Sequence, residues 1–208
     1  KEVSMAEEKI DFAIETLGEC TIDSPIKLSS TFGDYRPNYV RDDTYIRTRV
    51  TVKDTTANEP LDSSTLMEKA GPREKIYFDP KHVRAGICTC GGLCPGLNDV
   101  IRAVVRCLNK RYGVTTIKGY QYGFHGFFAE EGFEPIDLDP YNVDEIHKIG
   151  GTYLGTSRGG GQRVGDIVDC LERDNINMLF IIGGDGTQRG SYDIACEVER
   201  RHLKCAVV

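Results

Sequence analysis

Met178 to Thr187 reads MLFIIGGDGT, and the reading of these ten residues decides the fold class of the chain. Met178 to Ile182 form a run too short for an amphipathic helix and too continuous for a half-exposed strand, which predicts a strand buried on both faces. Gly183, Gly184 and Gly186 lack a Cβ, so the backbone there can turn sharply and approach a bulky anion. Asp185 sets a carboxylate at the strand's C-terminal end, where open α/β sheets bind ligands. A helix opened by Thr187 would aim unpaired N–H groups and its dipole at the same spot, which suits a phosphate with Mg²⁺ near Asp185. The alternative is a tight Gly-Asp-Gly turn that binds nothing.

Outward from this stretch the pattern strand, glycine turn, helix recurs from Val83 onward. Ala85 to Cys90 is the first such strand, followed by the turn Gly91 to Gly96 and a helix reaching Gly113. Val100, Ile101, Val104, Val105 and Leu108 share one face of that helix, and Arg102, Arg106 and Lys110 stripe the other as a solvated face. Val114 to Tyr120 is the next strand. Tyr122, Phe124, Phe127 and Phe128, set among Gly123 and Gly126, pack a loop down, with His125 as a residue able to reach a ligand. Asn142 and Glu145 resemble a capping box opening a short helix through Val143 and Ile146, ended by Gly150 and Gly151. The glycine-rich Thr152 to Gly161 follows, then a helix with Val164, Ile167, Val168 and Leu171 on one face. Beyond GGDGT, Ile194, Ala195 and Val198 mark another helix and Lys204 to Val208 a further strand. The expected fold is α/β, a Rossmann-like three-layer parallel sheet with helices on both faces, left incomplete. Residues 83–208 would be one domain and 1–82 an N-terminal extension.

In that extension Ser4 and Glu7 suggest a capped helix carrying Ile10, Ala13, Ile14 and Leu17. Thr21 to Asp43 reads as an irregular surface segment, and Ile46, Thr48, Val50 and Val52 alternate as a half-buried edge strand. No chemistry is legible before Ala70, so the extension is expected to serve packing or oligomer contacts.

The 208 residues are 39% apolar, enough for a core, and 26 basic residues face 32 acidic ones. Both parts of the chain lack the basic excess of a nucleic-acid binder, and no apolar run nears the ~20 residues of a membrane span. The first residues, KEVSMAEEK, are too acidic for a signal peptide. Eight cysteines without a regular framework suggest free thiols in a reducing compartment. Cys88, Cys90 and Cys94 offer no CxxC pair and no nearby His, which argues against zinc. With no initiator Met and an apolar run at its end, the chain is expected to be cut at both ends.

Three glycine loops, at 91–96, 152–161 and 183–187, would meet at neighbouring strand ends and supply what phosphate binding needs: close backbone N–H groups, the Arg158 guanidinium and the Asp185 carboxylate. The first loop is neither a GxGxxG nor a Walker loop. CGGLCPGLNDVIR (Cys90 to Arg102), GGTYLGTSRGG (Gly150 to Gly160) and IIGGDGTQRG (Ile181 to Gly190) resemble the three ATP-side motifs of 6-phosphofructokinases. With AGPREKIYFDP (Ala70 to Pro80), the likeness is to the ATP-dependent plant-type and protist group with a long N-terminal extension.

That resemblance implies that Gly91 and Gly92 contact ATP, the former through its backbone, that Arg158 and Gly159 hold its phosphates, and that Gly184, Asp185, Gly186 and Thr187 complete the site, with Asp185 serving Mg²⁺. It favours ATP over pyrophosphate as donor, because Gly186 stands where pyrophosphate-using relatives carry Asp, whose charge would repel the nucleotide's phosphates. The implied reaction passes the γ-phosphoryl group of MgATP to fructose 6-phosphate, giving fructose 1,6-bisphosphate in glycolysis. By the same resemblance the general base lies beyond Val208, so no residue here is catalytic and the isolated chain is expected to be inactive. The full-length protein would be a cytoplasmic homo-oligomer, a plastid location staying open, with neither nucleic acid nor membrane as partner. GGDGT also occurs in NAD and lipid kinases, and a non-catalytic nucleotide-binding module is the reading from another class.

Overall fold

The computed structural model describes residues 11–51 and 61–208. The chain divides into two compact units, residues 1–77 and 78–208. In the first unit β1 (Ile22–Asp23) pairs antiparallel with β4 (Lys75–Ile76), and β2 (Tyr45–Arg47) with β3 (Leu66–Glu68). Between these short ladders the backbone is irregular and held by side chains: the Arg73 guanidinium donates to the carbonyls of Arg41 at 2.6 Å and Lys69 at 2.8 Å. Gly71 has φ +146, and a Cβ there would come within 2.5 Å of Val40 Cγ2.

Two expectations for this unit need correction. Residues 11–17 carry no helix, and Ile14 and Leu17 are exposed, so helical spacing there has nothing to pack against. Ser4, Glu7 and Ile10 lie outside the described residues. The strand at 46 is only three residues long and exposed on both sides, Val50 points to solvent, and Val52 lies outside the described residues.

The second unit is a five-stranded sheet between helices. β5 (Arg84–Thr89) sits at its centre, flanked by β6 (Thr116–Tyr120) and β8 (Met178–Ile182), with β7 (Ile136–Asp137) and β9 (Ala206–Val207) outermost, in the order β7-β6-β5-β8-β9. β5, β6, β8 and β9 run parallel, while β7 is antiparallel to β6, so the sheet is mixed at one edge. Asn177 fixes the register where β5 and β8 begin. Its Oδ1 accepts from Arg84 N at 2.9 Å and its Nδ2 donates to the His82 carbonyl at 3.1 Å.

Side chains alternate across the sheet and build two cores. Ala85, Ile87 and Ile117 pack on one face against Ile101 and Val105 of α1 (Leu97–Arg106) and Leu108 of the π-helical stretch that continues it, Cys107–Tyr112. On the other face Cys88, Tyr120 and Leu179 meet Ile167, Val168 and Leu171 of α2 (Val164–Arg173) and Ile194 and Val198 of α3 (Asp185–Arg200). Helices of ten residues are marginal in water on their own. Each buried Leu, Ile or Val contributes about 1.5–3 kcal/mol, so packing on the sheet is what makes α1 and α2 persist.

The strand buried on both faces is β5; in β8 only Leu179 is fully buried. Met178, Phe180 and Ile182 reach the α1-side core only at its margin, because α1 lies over β5 and β6. Along α1 and its π-helical continuation the buried stripe is Leu97, Ile101, Val105 and Leu108, and Val100 is 44% exposed. Arg102 and Arg106 are not a free solvated face either. Both grip Asp144, at 3.2 and 2.6 Å, while Lys110 lies over the Tyr141 ring, so the stripe anchors residues 141–144. The capping box at Asn142 and Glu145 does not form. Asp139 caps that turn by accepting from the N–H groups of Tyr141 and Asn142, Asn142 Oδ1 accepts from Asp139 N, and Glu145 pairs with Lys148.

Candidate functional site

The C-terminal ends of β5 and β8 open onto one cavity of about 510 Å³. Gly91 and Gly92 line it from the turn after β5, Arg158 and Gly159 from the loop before α2, and Gly184, Asp185, Gly186 and Thr187 from the start of α3. All eight residues singled out in the sequence are therefore brought to one place. Phe124, 3% exposed, forms an apolar wall. Of the aromatic group Phe124, Phe127 and Phe128 are buried while Tyr122 is half exposed, and His125 turns to Glu131 at 2.9 Å.

The start of α3 is two residues earlier than expected. Gly184 is the N-cap and Asp185 the first helical residue, so Thr187 lies inside the first turn. A glycine cap has no side chain to accept from the helix end. Gln188 N returns to the Gly184 carbonyl at 2.9 Å, and the N–H groups of Asp185, Gly186 and Thr187 meet no acceptor among the described residues. The glycines around this end differ in what they do. A Cβ on Gly183 would lie 2.6 Å from Thr187 Cβ, so glycine is required for Thr187 to seat. At Gly184 and Gly186 a Cβ would meet nothing within 4 Å, and neither has positive φ. Neither fold nor backbone demands glycine there, and its effect is to leave the helix end bare toward the cavity.

The Arg158 side chain is exposed and makes neither hydrogen bond nor ion pair among the described residues, and the same holds for the Asp185 side chain. The loop carrying Arg158 is nonetheless fixed. Thr89 Oγ1 donates to the Gly155 carbonyl at 2.7 Å and lies 2.9 Å from Thr152 Oγ1. Thr156 Oγ1 donates to the Gly91 carbonyl at 2.9 Å, and Gly91 N donates to the Ser157 carbonyl at 2.8 Å. From below, buried Asn98 gives Nδ2 to the carbonyls of Ile146 and Ile149 and accepts from Tyr153 N at 2.6 Å. Both main-chain groups of Gly91 are engaged within the protein, so it shapes the cavity that it lines.

Sequence reasoning missed Thr89 and Asn98, for which no local pattern exists. It also missed Arg189 and Asp193, cavity-lining residues one and two helical turns past Asp185, which helical spacing would have revealed. Cys88 and Cys90 place their Sγ atoms 3.9 Å apart in the core, and the neighbouring thiol together with burial pushes the Cys88 thiol well above its ordinary range. All eight cysteines are free, and among the described residues no group of three His, Cys, Asp or Glu side chains converges.

The arrangement suits a polyanion that brings its own metal. An exposed helix end contributes only about 0.3–1 kcal/mol toward an anion, and a hydrogen bond to a charged group about 1.5–3 kcal/mol. The bare turn of α3 therefore needs a cation such as Arg158 to hold a phosphate chain. Asp185 alone cannot cage a metal, but Mg²⁺ is commonly held by one or two carboxylates plus phosphate oxygens and water, and an unpaired Asp185 fits that pattern.

The profile of the family described as phosphofructokinase matches residues 84–208. Among curated proteins the chain is 51% identical over 201 residues to the ATP-dependent 6-phosphofructokinase of Borreliella burgdorferi, covering 97% of this chain and 44% of that protein. It is 53% identical over 140 residues to ATP-dependent 6-phosphofructokinase 7 of Arabidopsis thaliana, covering 67% of this chain and 28% of the relative. The Trypanosoma cruzi enzyme of the same name is 45% identical over 145 residues, covering 70% and 30%. The chain thus spans less than half the length of these relatives. Among solved structures, a pyrophosphate-dependent phosphofructokinase from Nitrosospira multiformis superposes with a TM-score of 0.53 at 15% identity, over 61% of this chain and 32% of that one, a likeness of fold alone. With its central sheet, its three glycine loops and more than half its length matched, the chain belongs to the phosphofructokinase family.

Proposed function

We propose that the cavity holds MgATP and that the full-length protein transfers its γ-phosphoryl group to fructose 6-phosphate, yielding fructose 1,6-bisphosphate. The observation that carries this reading is the bare first turn of α3, with its unpaired Asp185 side chain, opening onto the same cavity as unpaired Arg158. The N–H groups of Asp185, Gly186 and Thr187 and the Arg158 fork would bind and orient the phosphates, and Gly159 would keep the loop clear of them. Asp185 would hold Mg²⁺, whose charge neutralises the phosphate oxygens as the γ-phosphoryl group departs. The proton acceptor for the sugar hydroxyl is assigned to no residue of this chain. ATP is favoured over pyrophosphate because Gly186 leaves open, uncharged space beside the phosphates.

The full-length protein would act as a homo-oligomer in a reducing compartment, the cytoplasm, in keeping with eight free cysteines. Among the described residues no helix is long and apolar enough to cross a membrane. A coupled assay on the full-length protein, with ATP and with pyrophosphate as donor, tests the reading. Asp185→Ala should abolish Mg²⁺-dependent turnover with an unchanged circular dichroism spectrum. Turnover retained by that variant would overturn the metal assignment, and turnover with pyrophosphate alone would overturn the choice of donor.

A further inference from the structure

Arg158 makes no contact of its own that fixes its direction, yet it stands at the mouth of the cavity. The three residues before it are each hydrogen-bonded to the last residue of β5 or to the turn that follows it. Thr89 Oγ1 donates to the Gly155 carbonyl, Thr156 Oγ1 donates to the Gly91 carbonyl, and the Ser157 carbonyl accepts from Gly91 N. Two of these links use the main chain of Gly91, and on the strand side only the Thr89 link belongs to a replaceable side chain. Thr89 is fully buried, with no exposed surface, and its hydroxyl serves the Gly155 carbonyl and Thr152 Oγ1 together. Gly155 itself has φ +68, and a Cβ there would fall within 2.8 Å of the Tyr122 ring, so the chain can turn at this point in very few ways.

We infer that Thr89 is a positioning residue for the phosphate donor: buried beneath the site, it aims the Arg158 guanidinium at the nucleotide phosphates through Gly155. The inference rests on the nucleotide reading of the cavity. A misaimed arginine loses its bidentate geometry, so the effect falls on the affinity for ATP and leaves the sugar substrate untouched. Valine matches threonine in shape but has no hydroxyl to give the Gly155 carbonyl, while serine keeps the hydroxyl.

The test is a double-mutant cycle on the full-length protein, read as KM for ATP and KM for fructose 6-phosphate. Thr89→Val should raise KM for ATP about tenfold with KM for the sugar unchanged, Thr89→Ser should restore it to within about twofold, and Arg158→Ala alone should raise it at least as much. Combined with Arg158→Ala, Thr89→Val should add less than about twofold, because the group it aims is already gone. If Thr89→Val does not fold, Thr156→Val breaks the neighbouring link and takes its place in the same cycle. Additive effects would overturn the inference, since Thr89 would then act independently of Arg158. So would an unchanged KM for ATP in Thr89→Val beside a raised one in Arg158→Ala. If neither single variant alters KM for ATP, the nucleotide reading of the cavity fails and the inference fails with it.

Discussion

Gly91 donates its N–H to the Ser157 carbonyl at 2.8 Å, a bond that joins the turn after β5 to a loop sixty-odd residues further along the chain. Gly91 adopts φ +86, in the left-handed region open to glycine, and that conformation aims its N–H sideways at the loop. The two glycine segments are therefore one structural piece, and the cavity between them and α3 has a fixed side and a bare side. The fixed side is the pinned loop, and the bare side is the helix end.

Gly183 and Gly186 lie three residues apart and should respond oppositely to a methyl group. Gly183→Ala puts a Cβ within 2.6 Å of Thr187 and pushes the first turn of α3 out of place. It should cost about 1–3 kcal/mol in chemical denaturation, as overpacked sites do, and weaken MgATP binding by at least about tenfold in calorimetric titration. Gly186→Ala enters open space within the first turn of α3 at an ordinary backbone conformation and should raise stability by about 0.4–1 kcal/mol.

Gly186→Asp probes the donor. A carboxylate in the first turn of α3 suits the helix dipole, so stability should hold or rise by about 0.3–1 kcal/mol. The same charge faces the place proposed for the nucleotide phosphates, so KM for ATP should rise about tenfold or more in steady-state kinetics. Unaltered ATP kinetics would remove the donor argument.

Asn98→Asp tests the buried support of the loop. Asparagine gives Nδ2 to two carbonyls and accepts from Tyr153 N, and a carboxylate of the same shape only accepts. The carbonyls of Ile146 and Ile149 would then face an anion in a site 3% exposed, and denaturation should show a loss of about 3 kcal/mol.

Glu197, one turn of α3 past the cavity-lining Asp193, gives a pH signature. The guanidinium groups of Arg200 and Arg201, hydrogen-bonded to its carboxylate, hold it down to about 2 from an ordinary 4.5. A carboxyl group lowered on folding adds stability that is fully present above its unfolded value and disappears as pH falls through the folded one. Glu197→Gln should therefore be less stable than the parent at neutral pH. The gap between the two should narrow between about pH 4.5 and pH 2 in thermal melts, since protonation does to the parent what the substitution does to the variant. A constant gap across that window would assign the loss to packing.

Periodicity made α2 and the parallel strands legible, because apolar spacing follows from which side chains must leave water, whatever the rest of the chain does. It failed where spacing had no partner. The apolar positions at 14 and 17 lie on no helix, and Val100 falls just off the buried stripe of α1. The cations at 102 and 106 looked solvated because their counterion, Asp144, comes from a distant turn.

By itself the sequence determined the parallel strands and the helices α1, α2 and α3, the three glycine turns and the acid beside the last of them, since these depend on local backbone freedom and on hydrophobic spacing. Only the tertiary structure decided that eight residues from three segments line one cavity. Folding also decided that Gly91 spends both main-chain groups on the loop, and that Thr89 and Asn98 hold that loop from beneath. The physical reason is that hydrogen-bond partners far apart along the chain meet only when the sheet brings strand ends side by side, and no local pattern records which donor will find which acceptor.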